Sequence, residues 1–239
     1  MQPIIIRDSI SIAAGATNEN VIASNPSLRR FLRSPFLASG RLTAVISATG
    51  LRIALDYGSK NVVDNSDLRV ATFADEDFDT IARQWFPNEG DQLVLRAFNP
   101  TGGAISLIYR LVLTPLSDIS QLMPDRRVVQ RIVSVAAAAV DTVIYDGSRY
   151  ERPPVDCILD VLETSSAAGL SAQVYVEQDN IAPPGAVKNA NRVPQVPQDI
   201  SVEDVEVPQD KLIQVLVSNS TGGALSYFGR LELEELQRT

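Results

Sequence analysis

Apolar and polar residues alternate along most of this chain with a period of two. The alternation is clearest in residues 4–12 (IIIRDSISI), 41–47, 51–57, 92–98, 104–113, 141–145, 157–163, 171–177, 211–217 and 224–233, which are also rich in β-branched and aromatic side chains. That pattern sets one face of a strand on a core and the other in water, so it predicts an almost wholly β protein. Turn residues punctuate the strands at Tyr57-Gly58-Ser59, Asp64-Asn65-Ser66, Asp146-Gly147-Ser148 and Pro183-Pro184-Gly185. Two brief stretches, Ser27–Leu32 and Asp77–Trp85, have helical spacing, and acidic residues at the start of the second suit a helix N-terminus. The four alanines at 136–139 have high helix propensity, but valines flank them and no cap precedes them, so strand is expected there.

The alternation repeats on a larger scale. At an offset of 120 residues, Asn99, Thr101, Gly102, Gly103, Ala104, Ser106, Arg110, Leu111 and Leu113 meet Asn219, Thr221, Gly222, Gly223, Ala224, Ser226, Arg230, Leu231 and Leu233. Upstream, ATGLRIALDYGSKNV (48–62) matches AAGLSAQVYVEQDNI (167–181) at an offset of 119, and GRLTAVIS (40–47) pairs with CILDVLET (157–164). Agreement of successive segments in one order points to an internal duplication. The expected domains are 1–118 and 127–239, joined by a short linker at 119–126. Blocks of about 110 residues holding many short strands predict tandem antiparallel β-sandwiches, of jelly-roll type by their length and long loops. An immunoglobulin-like sandwich is the competitor, but Cys157 is the only cysteine, so the Cys–Trp–Cys spacing of that fold is absent.

Residues 177–208 depart from the pattern. EQDNIAPPGAVKNANRVPQVPQDISVEDVEVP holds five prolines and little alternation before Ile200, which predicts a long proline-rich loop. Two roles are open to it: contact with a partner through Pro183, Pro184, Pro194 and Pro197, or an insertion on its own domain.

Composition narrows the chemistry. The 239 residues include no histidine, which removes Ser–His–Asp and Cys–His catalytic pairs and, with one cysteine, zinc sites built from His or Cys. A net charge of -8 disfavours nucleic-acid binding. It is unevenly spread: residues 1–120 carry 11 basic and 12 acidic side chains, residues 121–239 carry 10 and 17. MQPIIIRDSISIAAG has too few consecutive apolar residues for a signal peptide. No segment approaches the roughly 18–20 apolar residues that span a bilayer, so a soluble chain made in the cytoplasm, without membrane contact, is expected.

Each candidate site has a plainer rival. Thr-Gly-Gly suggests a phosphate loop, but residues on both sides alternate as strands and offer no helix N-terminus. Asn99, Thr101, Gly102, Gly103, Asn219, Thr221, Gly222 and Gly223 therefore read as turns, with a partner-touching loop as the alternative. Asp75, Glu76, Asp77 and Asp79, like Glu203, Asp204 and Glu206, could offer oxygen ligands but lack calcium-loop spacing and read as solvated charge. LRRFLR (28–33) sets Arg29, Arg30 and Arg33 beside Phe31, a combination suited to an acidic partner such as the second domain of another copy. Trp85 fits either an interface or the core, and Cys157 fits a buried strand position. Asn219-Ser220-Thr221 has the form of a glycosylation sequon, without a secretion signal to give it meaning. No catalytic group, cofactor or metal is expected.

The duplicated NPTGGA (99–104) and NSTGGA (219–224) blocks, with the proline-rich arm 177–208, resemble the two-domain jelly-roll structural proteins of tailed-phage and related virions. The resemblance implies a non-enzymatic cement or decoration protein that self-associates, contacts capsid or other virion proteins and is assembled into particles in the host cytoplasm. A carbohydrate-binding sandwich is the other reading, with Tyr57, Tyr145, Tyr150 or Tyr175 exposed to stack on sugar.

Overall fold

The computed structural model describes residues 2–70, 79–116, 126–146, 151–194 and 197–236. They form an almost all-β chain that divides into two compact units, Met1–Val128 and Val129–Thr239. Unit 1 holds β1 (Ile4–Ile12), β2 (Glu19–Asn20), the one-turn helix α1 (Val21–Ser24), a 3-10 turn at Arg29–Phe31, β3 (Ala38–Ile46), β4 (Arg52–Tyr57), β5 (Lys60–Asp67), β6 (Asp79–Trp85), β7 (Leu93–Phe98) and β8 (Ile105–Pro115). Unit 2 is built from β9 (Arg126–Val135, which starts just before the boundary), β10 (Thr142–Asp146), β11 (Cys157–Ser165), β12 (Leu170–Val176), β13 (Asp179–Ala186), a 3-10 turn at Pro197–Asp199, β14 (Ile200–Val207), β15 (Ile213–Asn219) and β16 (Leu225–Glu235).

The strands of unit 1 lie in the orders β1-β8-β3-β6 and β2-β7-β4-β5, those of unit 2 in the orders β9-β16-β11-β14 and β10-β15-β12-β13. Counted from the first strand of each unit, the two pairs of orders are the same. This almost all-β arrangement of several sheets is broadly consistent with folds of the β-sandwich and jelly-roll kind. Alternation does what the sequence requires of it: β7 and β15 bury every second residue. Leu42, Ile53, Leu95, Leu107, Tyr109 and Leu111 are buried in unit 1, and Leu159, Val161, Val174, Val215, Tyr227 and Leu231 in unit 2. Each such side chain removed from water contributes about 1.5–3 kcal/mol before the entropy of ordering is set against it.

Several expectations are corrected. The proline-rich segment is no single loop, since 179–186 and 200–207 are strands β13 and β14. Prolines fit β13 because it is the edge of its sheet, and the β12–β13 register slips around Pro183 and Pro184, where ladder donors are not needed. Residues 79–85 pair with β3 as a strand instead of continuing a helix, and residues 71–78 lie outside the described structure. Asp64-Asn65-Ser66 is not a turn between strands but an irregular stretch of β5, with Asn65 at φ 37°. The alanine run is a tight turn after β9, with Ala138 at φ 54°. Ser27–Leu32 forms only the 3-10 turn at Arg29–Phe31, preceded by α1, whose N-cap Asn20 accepts from Ile22 N and Ala23 N.

Candidate functional site

The two Asn-x-Thr-Gly-Gly turns connect β7 to β8 and β15 to β16, and each ties three turns of its unit together. Asn99 Nδ2 donates to Ile12 O (3.1 Å), Ala13 O (3.0 Å) and Gly103 O (2.8 Å). Asn219 Nδ2 donates to Val135 O (3.1 Å), Ala136 O (2.9 Å) and Gly223 O (2.8 Å). Thr101 Oγ1 bonds Asn99 Oδ1 at 2.7 Å and Gly103 O at 3.0 Å; Thr221 Oγ1 bonds Asn219 Oδ1 at 2.8 Å and Gly223 O at 2.9 Å. The threonine methyls press on the next turn, where Gly50 (φ 106°) and Gly169 (φ 119°) leave no room for a Cβ: it would stand 2.6 Å from Thr101 Cγ2 and 2.2 Å from Thr221 Cγ2. Ser47 Oγ and Ser166 Oγ each accept, at 2.9 Å, from the backbone N–H of Ser106 and Ser226. Both asparagines are buried. Their side chains are spent on backbone groups that would otherwise stand unpaired.

Unit 2 carries a buried carboxyl and phenol in hydrogen-bond contact between its sheets. A cavity of about 300 Å³ opens beside β11, β12, β13 and β14, lined in part by Glu163, Val174, Lys188, Asp199 and Ser201. Glu163 sits at an inward-facing position of β11 and accepts from Tyr227 Oη at 2.8 Å. Tyr227 reaches it by lying along Gly229, where a Cβ would be 2.5 Å from the ring. Burial pushes the Glu163 carboxyl above the usual carboxylate range, while the hydroxyls of Tyr227 and Ser201 pull the other way. Burial, and then the neighbouring Glu163, push the Tyr227 hydroxyl well up.

Across the cavity the Asp199 carboxylate is wholly buried and held by two cations, Lys188 Nζ at 2.8 Å and Arg192 Nη1 and Nη2 at 2.6 and 3.0 Å. The same loop is fastened to β11 by Ser165 N donating to Lys188 O at 2.9 Å and by Thr164 Oγ1 bonding Arg192 O. Asp199 thereby fastens the loop, its one negative charge set between two cations. Glu163, Tyr227, Lys188, Arg192 and Asp199 were not singled out by sequence reasoning. The available signal was parity, since Cys157, Leu159 and Val161 precede Glu163 on the inward face of β11.

The structure disperses the residues expected at a partner surface. Trp85 is fully buried, packed over Gly40 and 5.6 Å from the Tyr57 ring, which removes it from any surface. Pro194 is buried as well, whereas Pro183 and Pro184 are exposed on β13, and the side chain of Pro197 lies outside the described residues. Arg29 Nε donates to Ala23 O at 3.2 Å and Arg33 Nη1 to Gly90 O at 2.8 Å, while Arg30 lies 4.7 Å over the Phe31 ring. Phe31 itself packs on the core. Of the tyrosines expected to stack on sugar, Tyr57 and Tyr145 are buried, in opposite units, Tyr175 is half-buried and bonds Gln173 Oε1, and Tyr150 lies outside the described residues. Asp75, Glu76 and Asp77 lie outside them too, along with the Asp79 side chain. Among the described residues, no group of three or more Cys, Asp or Glu side chains could hold a metal ion, and no helix is long and apolar enough to cross a membrane. Cys157 is a buried free thiol.

No protein-family model matches the sequence, and no curated protein matches it. Solved structures resemble it at low identity. The major capsid protein P2 of bacteriophage PM2 is 9% identical over 98% of this chain and 99% of its own, with a TM-score of 0.41. The tandem CBM22-1–CBM22-2 domains of Paenibacillus barcinonensis Xyn10C are 8% identical over 98% of this chain and 93% of their own, at 0.26. A chain of the infectious bursal disease virus Gx strain is 9% identical over 98% of this chain and 71% of its own, at 0.25.

Proposed function

We propose that this chain is a non-enzymatic structural protein of a virion, built from two duplicated eight-stranded jelly rolls, that contacts and stabilises neighbouring subunits of a capsid or related assembly. The observation that carries the reading is the strand order, 1-8-3-6 facing 2-7-4-5, repeated in both units together with its Asn-Thr-Gly-Gly corner. Double-sheet jelly rolls serve chiefly as virus-shell domains, lectins and cupins. A cupin-type metal site draws on histidine, which this chain lacks. A lectin-type site needs an exposed platform, and Tyr57 and Tyr145 are spent in the cores. What remains is a pair of sandwiches with exposed sheet positions and loops available for contacts, including Pro183 and Pro184 on the β13 edge.

Mass spectrometry of purified particles from the source of this sequence, with density maps of those particles, tests the proposal. The chain is expected in stoichiometric amounts, with density for both units at subunit junctions. Its absence from every particle fraction overturns the reading.

A further inference from the structure

Strands β1, β8 and β3 of unit 1 and strands β14, β11 and β16 of unit 2, drawn from corresponding sheets, carry opposite charge on their outer faces. In unit 1, β1 and β8 place Arg7 directly opposite Arg110, and the next outward row holds Ile5, Val112 and Arg41 across β1, β8 and β3. Arg7, Arg41 and Arg110 are exposed and Ile5 is 51% exposed. Neither Arg7 nor Arg110 forms an ion pair among the described residues, and no carboxylate faces outward from these three strands. Like charges set directly opposite on a sheet destabilise the pairing, so this arrangement is unfavourable in an isolated unit. β1 is also the edge of its sheet, nine residues long, with neither proline nor lysine to blunt it.

On β14, β11 and β16 of the corresponding sheet of unit 2 the sign is reversed, while β9 on the far side of β16 begins with Arg126 and Arg127. Asp160 takes the place of Arg41 at the repeat offset of 119. One row holds Glu206, Ile158 and Glu234 across β14, β11 and β16, and the neighbouring row sets Asp160 opposite Glu232. Glu203, Asp204 and Glu206 stand exposed along β14. The equivalent of Arg110 here is Arg230, which is buried and already 2.8 Å from Glu232. The excess is not local, since residues 129–239 carry 16 acidic and 8 basic side chains and residues 1–128 carry 13 of each.

We infer that the outer face of β1, β8 and β3 docks a second copy of this chain through the acidic outer face of β14, β11 and β16. The contact joins unlike faces, basic to acidic, so it closes as a reciprocal two-fold dimer or, where the second pair of faces does not meet, runs on into a ring or an open array. Opposed charge sets orientation and association rate, Ile5 and Val112 supply apolar contact beside the arginines, and pairing like units is disfavoured because each would meet its own sign. This deepens the virion reading and rests on it for its setting.

Sedimentation of the full chain at low and high salt, with two charge-reversed variants, tests it. The wild type is expected to self-associate at low salt and to dissociate as ionic strength rises from about 0.05 to 0.5 M. R7E/R110E and E206R/E234R are each expected to weaken association at least about 10-fold, and an equimolar mixture of the two to recover it, because each variant's altered face then meets a complementary one. Circular dichroism checks that each variant folds; if one does not, R7S/R110S and the wild-type salt series carry the test. A wild type that stays monomeric at low salt, or variants that associate as it does, overturn the inference. A monomeric chain that is nonetheless recovered in particles would overturn this surface alone, whereas charge-dependent association of a chain absent from particles would overturn the virion reading alone.

Discussion

At the Asn99 and Asn219 corners the two units agree almost atom for atom, while a short way along the same strands they diverge. Glu163 of β11 lies opposite Gly229 of β16; at the repeat offsets the matching pair in unit 1 is Ala44 opposite Tyr109. Tyr227 has Leu107 as its counterpart. Unit 1 therefore fills that part of its interior with a large ring over a small aliphatic, and unit 2 with a carboxyl and a phenol in hydrogen-bond contact beside a cavity. The corner is repeated because its partners are backbone carbonyls, which survive any change of side chain. The interior pair involves only side chains, so both members can change together while packing volume is kept.

The sharpest way to break this comparison is to remove the shared asparagines. Asn99→Ala and Asn219→Ala each strip donors from buried carbonyls of two turns, at about 1–3 kcal/mol for each group left unpaired, so a loss of about 3 kcal/mol is expected in either unit. Denaturant unfolding should show the two losses to be alike; a large loss in one unit and none in the other would mean the corners are not equivalent. Next in size are Gly50→Ala and Gly169→Ala, each expected to cost about 2 kcal/mol from positive φ and the threonine methyl combined. Replacing Thr221 by Ser should recover part of the Gly169→Ala loss and leave the φ contribution in place, a coupling that a double-mutant cycle reads directly.

The same division explains what the sequence made legible. Strands β3, β4, β7, β8, β11, β12, β15 and β16 are found within a few residues of their expected bounds, with alternation cleanest in β7, β8 and β15. The strands that escaped notice are β2, β5, β6, β9, β13 and β14, of which β2, β6, β13 and β14 are sheet edges. An edge tolerates bulges, prolines and positive φ, as at Pro183 and Pro184 in β13 and at Asp204 (φ 56°) in β14, and Asn65 interrupts β5 in the same way. Each breaks the period on which the reading depends. The turn role of Asn-x-Thr-Gly-Gly was visible because half of its bonds close within four residues. Its grip on Ala13 and Ala136 was not, because those acceptors lie more than 80 residues away in turns with little sequence in common. Glu163 and Tyr227 were hidden for the same reason, as partners on neighbouring strands whose register is set by the whole sheet.

Ionisation offers a subtler test, because only unit 2 holds a carboxyl in that interior position. The folded state raises the Glu163 pKa, so it binds the proton more tightly than the unfolded chain does. The stabilisation that follows is fully present below the ordinary carboxylate pKa of about 4.3 and is lost as pH rises through the folded value. Glu163→Gln keeps an acceptor for Tyr227 and removes the ionisation. The variant is expected to match the wild type near pH 4 and to melt a few degrees higher, on the order of 2–4 °C, near pH 8. Calorimetry across pH reads the difference; parallel curves would show that Glu163 does not titrate between the folded and unfolded states. Tyr227→Phe leaves Glu163 without that donor and should cost about 1–2 kcal/mol.

The smallest effect is expected from the corresponding change in unit 1, and its smallness is the point. The Tyr109 ring is fully buried opposite Ala44, yet its hydroxyl has no hydrogen-bond partner among the described residues. Burial, reinforced by the charge of Asp8, pushes that hydroxyl above the usual phenol range. Tyr109→Phe thus deletes a polar atom that contributes desolvation cost and no bond, so stability should change by less than about 0.5 kcal/mol or rise slightly. Equal losses for Tyr109→Phe and Tyr227→Phe in side-by-side denaturant titrations would mean that Tyr109 has a partner of its own. A neutral Tyr109→Phe beside a costly Tyr227→Phe would instead mark unit 2 as the unit whose interior is held by a hydrogen-bonded polar pair.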